Sequence, residues 1–204
     1  EVRAAGDREL HISCVGTLAM KWLIPRLSGF HARHPEFSTR VTEAYGPVDF
    51  TREPFDAAIR LTDSVAGEGL TATPFLDNFH GPVVAPDLAR GGVDLAHTPR
   101  LHTRPHRQAW DEWSEHAGVS VPEAPENREY EHLFYMLEAA VAGLGVGISP
   151  WIYVANDIAA GRLAAPFGFT RTPAKFHLTL PGSPPNPGLP AFPEWLIEEA
   201  APAP

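Results

Sequence analysis

The chain has little cysteine, a shortage of positive charge and no long apolar run. A single cysteine, Cys14, in 204 residues rules out a disulfide within the chain and fits a reducing compartment. Lys and Arg number 16 against 25 Asp and Glu, a formal net charge of -9 at pH 7. That is the wrong sign for a surface that must neutralise phosphates, so this stretch alone is not expected to hold DNA. No apolar stretch approaches the roughly 18 residues of a membrane span, and the N-terminus lacks the basic-then-apolar pattern of a signal peptide. Cytoplasm is the default expectation, although a mature secreted protein would also have lost its signal.

What is present suits a packed core: 44% of residues are hydrophobic and 20% charged. At this length either two small lobes or one larger domain fits. Glu1 to Arg8 is a charged lead-in. Leu10 to Val15 then alternates as a half-buried strand does, and after Gly16-Thr17 the residues Leu18, Trp22, Leu23, Leu27 and Phe30 recur at helical spacing. Thr17 is placed as the N-cap of that helix, and Pro25 inside it predicts a kink. His34-Pro35 ends the helix, and Ser38 to Ala44 alternates again. Strand, helix and strand in this order form the βαβ unit of a parallel sheet.

Phe55 to Arg60 reads as a buried parallel strand whose charged end reaches the surface, the edge at which open α/β sheets bind ligands. Leu70 to Asp77 and Gly81 to Ala85 read as two further strands, with Asn78 to Gly81 as the crossing between lobes. A short helix starts at Pro86. Leu101 to Thr103 is a strand, and Ala109 to Ala117 a helix with Trp110 and Trp113 on one face and Gly118 as its stop. Glu129 to Ala142 reads as a helix, Gly143 to Pro150 as its turn into a strand, and Trp151 to Ala160 as a helix closed by Gly161. Phe176 to Leu180 is a strand, Pro181 to Pro190 a loop, and Phe192 to Ala200 a last helix before the Pro202 to Pro204 tail.

The motifs of catalysis and of metal binding are missing. No Gly-x-Ser-x-Gly elbow occurs, and Cys14 lies mid-strand, where a thiol is usually buried and inert. Among the ten histidines, the pairs His31 with His34 and His102 with His106 have spacings a metal could bridge, but no cysteine or carboxylate pattern completes a zinc site. Gly143, Gly145 and Gly147 follow a helix and precede a strand, the reverse of a dinucleotide-binding turn. No cofactor is expected. Trp110 and Trp113 lack the interleaved basic residues of a nucleic-acid stacking platform.

Several segments together carry a family resemblance. Leu137-Glu-Ala-Ala-Val-Ala-Gly-Leu-Gly-Val-Gly-Ile-Ser-Pro150, followed by Asp157-Ile-Ala-Ala-Gly-Arg-Leu-Ala-Ala-Pro-Phe167, resembles the signature of the effector-binding domain of LysR-type transcription regulators. Trp22 to Pro35 is similar to the first helix of that domain, Phe55-Asp-Ala-Ala-Ile-Arg60 to its strand of Asp, a hydrophobic residue, Ala, Ile and Arg, and Trp110-Asp-Glu-Trp113 to the subgroup of glycine-cleavage and β-lactamase regulators. The resemblance implies an α/β fold of two Rossmann-like lobes around a central cleft, like the type 2 periplasmic binding proteins. Lobe I would take residues 9–79 and 177–204, and lobe II residues 80–176. It implies that a small effector, often an organic anion, binds between the lobes of a homodimer or tetramer. Promoter DNA would be held only through an N-terminal winged helix-turn-helix that this chain does not include.

Candidate ligand groups follow. Gly16, Thr17 and Leu18 open a helix whose first N–H groups and dipole favour an anion, though Thr17 could equally be a plain cap. Arg60, Leu61 and Thr62 lie past a strand edge, where Arg60 would pair a carboxylate bidentately or serve a structural ion pair. In the second lobe Thr103 and Arg104 follow a strand, and His132, Leu133 and Phe134 open a helix, the last two also suited to core packing. Ile148 would border the cleft. Two other functions share the fold: a solute-binding protein of a transport system, and an enzyme, for which no catalytic constellation speaks.

Overall fold

The computed structural model describes residues 8–64, 69–182 and 191–200. The lead-in before Arg8, most of the loop expected over Pro181 to Pro190 and the tail from Pro202 lie outside the described residues. The chain divides into two compact units, Glu1–Asp77 with Pro173–Ala203, and Asn78–Thr172.

The first unit opens with β1 (Arg8–Cys14), α1 (Gly16–Leu18), a π-helical stretch (Ala19–Leu23) and α2 (Ile24–Arg33), then β2 (Phe37–Glu43) and β3 (Ala57–Thr62). β1 and β2 pair in parallel from Arg8 with Phe37 to Cys14 with Glu43. The buried face of the intervening helix is Leu18, Trp22, Leu23, Leu27 and Phe30, the residues at helical spacing in the sequence. Phe30 meets Phe192 edge-on at 5.7 Å and Trp195 at 5.3 Å, both on α7 (Ala191–Glu198). Burying a side chain such as Leu27 or Phe30 contributes about 1.5–3 kcal/mol.

Pro25 acts differently from the expected kink. It has no N–H to donate and its ring crowds the carbonyl one turn back. The helix widens just before it, and Ile24 N–H reaches the carbonyl of Ala19, five residues away. Arg26 then donates to the Trp22 carbonyl at 3.0 Å while its guanidinium lies 4.9 Å from the Trp22 ring centre.

β4 (Leu70–Val83) and β8 (Thr170–Pro181) each run through both units. The sequence reads as two strands with a crossing at Asn78 to Gly81, but β4 is continuous. The division falls inside the two strands, at Asp77/Asn78 and Thr172/Pro173, where the sequence reading sets it at 79/80 and 176/177. Just past it Asn78 donates its amide to Thr172 Oγ1 at 3.0 Å.

The second unit holds α3 (Pro86–Ala89), β5 (Arg100–Thr103), a 3-10 turn (Arg104–His106), α4 (Ala109–Ala117), β6 (Asn127–Tyr130), α5 (Leu133–Val141), β7 (Val146–Pro150) and α6 (Trp151–Ala159). The helix expected from Glu129 starts at Leu133 instead, because residues 127–130 pair in parallel with β5. Trp110 and Trp113, 5.9 Å apart and edge to face, sit in the core with Val84, Leu95, Val146 and Ile148. Trp110 also donates to the Leu101 carbonyl at 3.1 Å. Gly118, with φ 65, ends α4 in the left-handed region open to glycine.

The strand order is β2-β1-β3-β8-β4 in the first unit and β4-β7-β5-β6 in the second. Both units therefore follow one plan. A first strand (β1 or β5) has its successor on one side and the third strand on the other, and an antiparallel strand (β8 or β4) backs the third.

Candidate functional site

In such a plan the chain leaves β1 in one direction and returns beside it from the other, so the carboxyl ends of β1 and β3 part at a topological switch point, the usual ligand position in open α/β sheets. β3 pairs with β1 only at Ile12 with Ala57 and Ser13 with Ala58, then continues along β8 as far as Thr62. Arg60 fills the gap beyond the pairing. Its Nη1 donates to the carbonyls of Ser13 and Ile59, each at 3.0 Å, its Nη2 to Ser13 Oγ at 2.8 Å, and its Nε to the Gly46 carbonyl at 2.7 Å. Four of the five guanidinium N–H groups thus have protein acceptors. Burial lowers the Arg60 pKa, partly opposed by Cys14 and Glu53, and burial pushes the neighbouring Cys14 thiol up to about 12. The thiol is therefore neutral and unreactive.

A pocket of about 380 Å³ opens at this edge, lined by Val15, by Gly46, Pro47 and Val48 after β2, by Arg60, Leu61, Thr62, Ser64 and Leu70, and by Thr179 of β8. Its volume is that of a small-molecule site. Arg60, Leu61 and Thr62 belong to the end of β3 and do not lie beyond it. Thr62 Oγ1 donates to the Ser64 carbonyl at 2.6 Å and accepts the Ser64 N–H at 3.1 Å, closing a small turn at the rim.

The helix start beside the pocket also differs from the sequence reading. Val15 is the N-cap of α1, with no side-chain cap, and Thr17 lies buried inside the first turn. Ala19 N–H to the Val15 carbonyl, at 3.0 Å, closes the first turn, so Gly16, Thr17 and Leu18 have no intrahelical acceptor. Gly16 has a packing reason: a Cβ there would fall 2.6 Å from Glu43 Oε1. The Glu43 carboxylate against a helix start is favoured by the dipole, and it accepts the Tyr45 hydroxyl at 2.5 Å. Burial, with that bond, raises the Tyr45 pKa.

In the second unit Thr103 ends β5, buried and paired with Tyr130. Exposed Arg104 meets Glu131 at 2.7 Å. His132 is the N-cap of α5, and its ring stacks on Phe134 at 5.1 Å with an interplanar angle of 4°. Leu133 and Phe134 are half-buried, while Met136, Leu137, Ala139 and Ala140 form the buried face of α5. Ile148 is a correction: it lies in the core with Trp110 and Trp113, because β7 is an inner strand buried along its length.

Of the first-unit candidates, Arg60, Leu61 and Thr62 line the pocket, and Arg60 bonds Ser13, three residues before the helix start at Gly16; Gly16, Thr17 and Leu18 adjoin the pocket only through Val15. Thr103, Arg104 and His132 to Phe134 come together through β5 and β6. Sequence reasoning missed Val15, Gly46 to Val48, Ser64, Leu70 and Thr179. The Gly46-Pro47 turn directly after a parallel strand was a usable signal. Thr179 had none, since its place depends on pairing with Ala58. The histidines of the two spaced pairs bond elsewhere: His31 to Thr39, His34 near Glu36, His102 to Asn127 and His106 to Glu112. Among the described residues no three His, Cys, Asp or Glu side chains gather as a metal site would require, and no helix is long and apolar enough to cross a membrane.

Two units of one topology, with a pocket at the first unit's switch point, define a binding module of the α/β class. The chain belongs to the LysR substrate binding domain family, which residues 3–201 match. It is 35% identical over 98% of its length to the HTH-type transcriptional regulator TrpI of Pseudomonas aeruginosa, spanning 70% of that protein. Over 94% of its length it is 27% identical to the glycine cleavage system transcriptional activator of Escherichia coli K12, spanning 65% of it. The effector domain of the transcriptional regulator AmpR of Pseudomonas aeruginosa superposes with a TM-score of 0.78 at 28% identity, covering 93% of this chain and 94% of that one. The fold is the two-lobed, type 2 periplasmic-binding-protein-like fold of these effector-binding domains, as the resemblance implied. These relatives are regulators of transcription. The chain is a ligand-sensing regulatory domain, and the transport alternative is set aside.

Proposed function

We propose that this domain senses a small, anionic metabolite in the cytoplasm and thereby changes how a homodimer or tetramer of the full-length regulator holds promoter DNA. The observation that carries the reading is the 380 Å³ pocket at the β1/β3 switch point. The N–H groups of Gly16, Thr17 and Leu18, adjoining it through Val15, are the candidates for an anionic end of the ligand. In the second unit Thr103, Arg104, His132, Leu133 and Phe134 are candidate contacts. A thermal-shift screen over metabolites is expected to yield a stabilising compound. The Thr17 hydroxyl is a further candidate beside its N–H: Thr17→Val, which deletes the hydroxyl and keeps the N–H, should weaken binding about tenfold, one lost hydrogen bond, while leaving the melting temperature of the free domain nearly unchanged. Equal affinity in the variant would remove the Thr17 hydroxyl from the site.

Exposed apolar side chains support self-association. Met20 and Ile24, each 52% exposed, stand four residues apart on the first unit's helical run, and Tyr135, also 52% exposed, stands on α5. A first-unit helix of one protomer against the second unit of its partner would cover them. Light scattering should show a dimer that Ile24→Glu weakens at least about tenfold, the cost of burying one unpaired charge. A native chain that stays monomeric at high concentration would end this reading.

A further inference from the structure

The pocket of the first unit offers no charged group able to grip a ligand of either sign. Arg60 is its one charged lining residue among those described, and four of its five N–H groups face Ser13, Ile59 and Gly46. The fork that would hold a carboxylate is therefore already occupied by the protein. The Thr62 hydroxyl is closed on Ser64. A carboxylate entering here would exchange its hydration for one remaining guanidinium N–H, and an ammonium group would face Arg60 with no carboxylate in the lining. The rest of the wall is uncharged and mostly aliphatic: Val15, Pro47, Val48, Leu61 and Leu70, with Gly46 and the hydroxyl residues Ser64 and Thr179 completing it.

We propose that the part of the effector lodged in this pocket is uncharged and largely apolar, with at most one acceptor directed at Arg60, and that any charged group of the ligand lies outside it. This rests on the reading of the pocket as an effector site and narrows its ligand to amphiphilic metabolites. A ligand of this kind places its apolar body between Val48, Leu61 and Leu70, and its charged end outside the pocket.

Three probes of one shape separate the cases: benzyl alcohol, benzoate and benzylammonium, titrated into the isotope-labelled chain with the amides of Leu61, Thr62 and Thr179 as reporters. Benzyl alcohol is expected to move these amides with an affinity at least about tenfold above that of either ion, the discrimination expected when a charge is desolvated without a partner. Val48→Asp and Leu70→Asp should each abolish the response. Leu61→Lys, at a position 37% exposed, supplies the missing free cation and should reverse the preference toward benzoate. Benzoate binding at these amides as tightly as benzyl alcohol in the native chain would overturn the proposal, as would the absence of a response to all three. If metabolites from the screen bind but move only other amides, the pocket assignment falls and the sensing function stands. If no metabolite binds at all, the sensing function falls with it.

Discussion

Arg60→Ala is expected to lower the stability of the domain by about 3 kcal/mol, because each hydrogen bond to a charged group contributes ~1.5–3 kcal/mol and those sharing one side chain do not add fully. The guanidinium bridges the end of β1, the β3 backbone and the Gly46 turn. Its removal leaves Ser13, which is fully buried, without the donor that faces its hydroxyl. For a chain of this size the loss corresponds to a fall of roughly 6–12 °C in melting temperature. Arg60→Lys should recover little of it, since one ammonium cannot reach acceptors fanned around a planar fork. Thermal unfolding of both variants without ligand decides the matter. An unchanged midpoint for Arg60→Ala would mean that the side chain serves the ligand and not the fold.

The second large effect is a loss of stability on mild acidification. His80 on β4 is 4% exposed, and its Nε2 lies 3.3 Å from Nδ1 of His116 in the last turn of α4. Burial first, then the charge of His116, pushes the His80 pKa down to about 4, with His106 adding to the shift and Glu112 opposing it. Glu112 is itself bonded to His106 at 2.9 Å. An unfolded histidine titrates near 6.5, so between there and pH 4 the unfolded chain binds a proton that the folded chain excludes. The contribution is present in full above about pH 6.5 and is lost progressively as the pH falls toward 4. Between pH 7 and pH 5 the loss amounts to about 1–2 kcal/mol after allowance for solvent screening, or roughly 2–8 °C. His80→Gln should flatten the midpoint across that interval. A native domain whose midpoint does not move between pH 7 and pH 5 would show that His80 takes up its proton in place.

The βαβ start of the chain was legible because the spacing of Leu18, Trp22, Leu23, Leu27 and Phe30 matches one buried helix face, and because the flanking strands keep period two. Trp110 and Trp113 were legible as one face of α4 for the same reason, and Gly118 as its stop. What escaped depends on contacts distant in sequence. Asn78 to Gly81 has the residue types of a turn, yet partners on β7 hold it in one strand: His80 pairs with Pro150, and Gly81 with Ser149. Residues 127–130 lie just ahead of a helix and are drawn into a strand by pairing with β5.

The site divided in the same way. Local pattern placed Arg60 to Thr62 just past a strand edge and Thr17 at a helix start; the former close β3 and line the pocket, and the latter follows Val15 of its lining. The donors of Arg60 were hidden, because their acceptors come from Ser13 and Gly46, which only folding brings near. Ile148 read as a cleft border because it stands at the far end of the Gly143 to Pro150 segment, but an inner strand buries it. Glu43 was invisible at the helix start until the parallel register set it against Gly16.

The central claim, a sensing domain that binds its ligand and leaves it unchanged, is tested most directly by titration calorimetry with a compound from the metabolite screen, followed by recovery of the compound. One molecule bound per chain, with a negative heat-capacity change from apolar burial in the pocket and the ligand recovered intact, is the expected result. A ligand recovered chemically altered, or the absence of saturable binding by any compound of the screen, would contradict it.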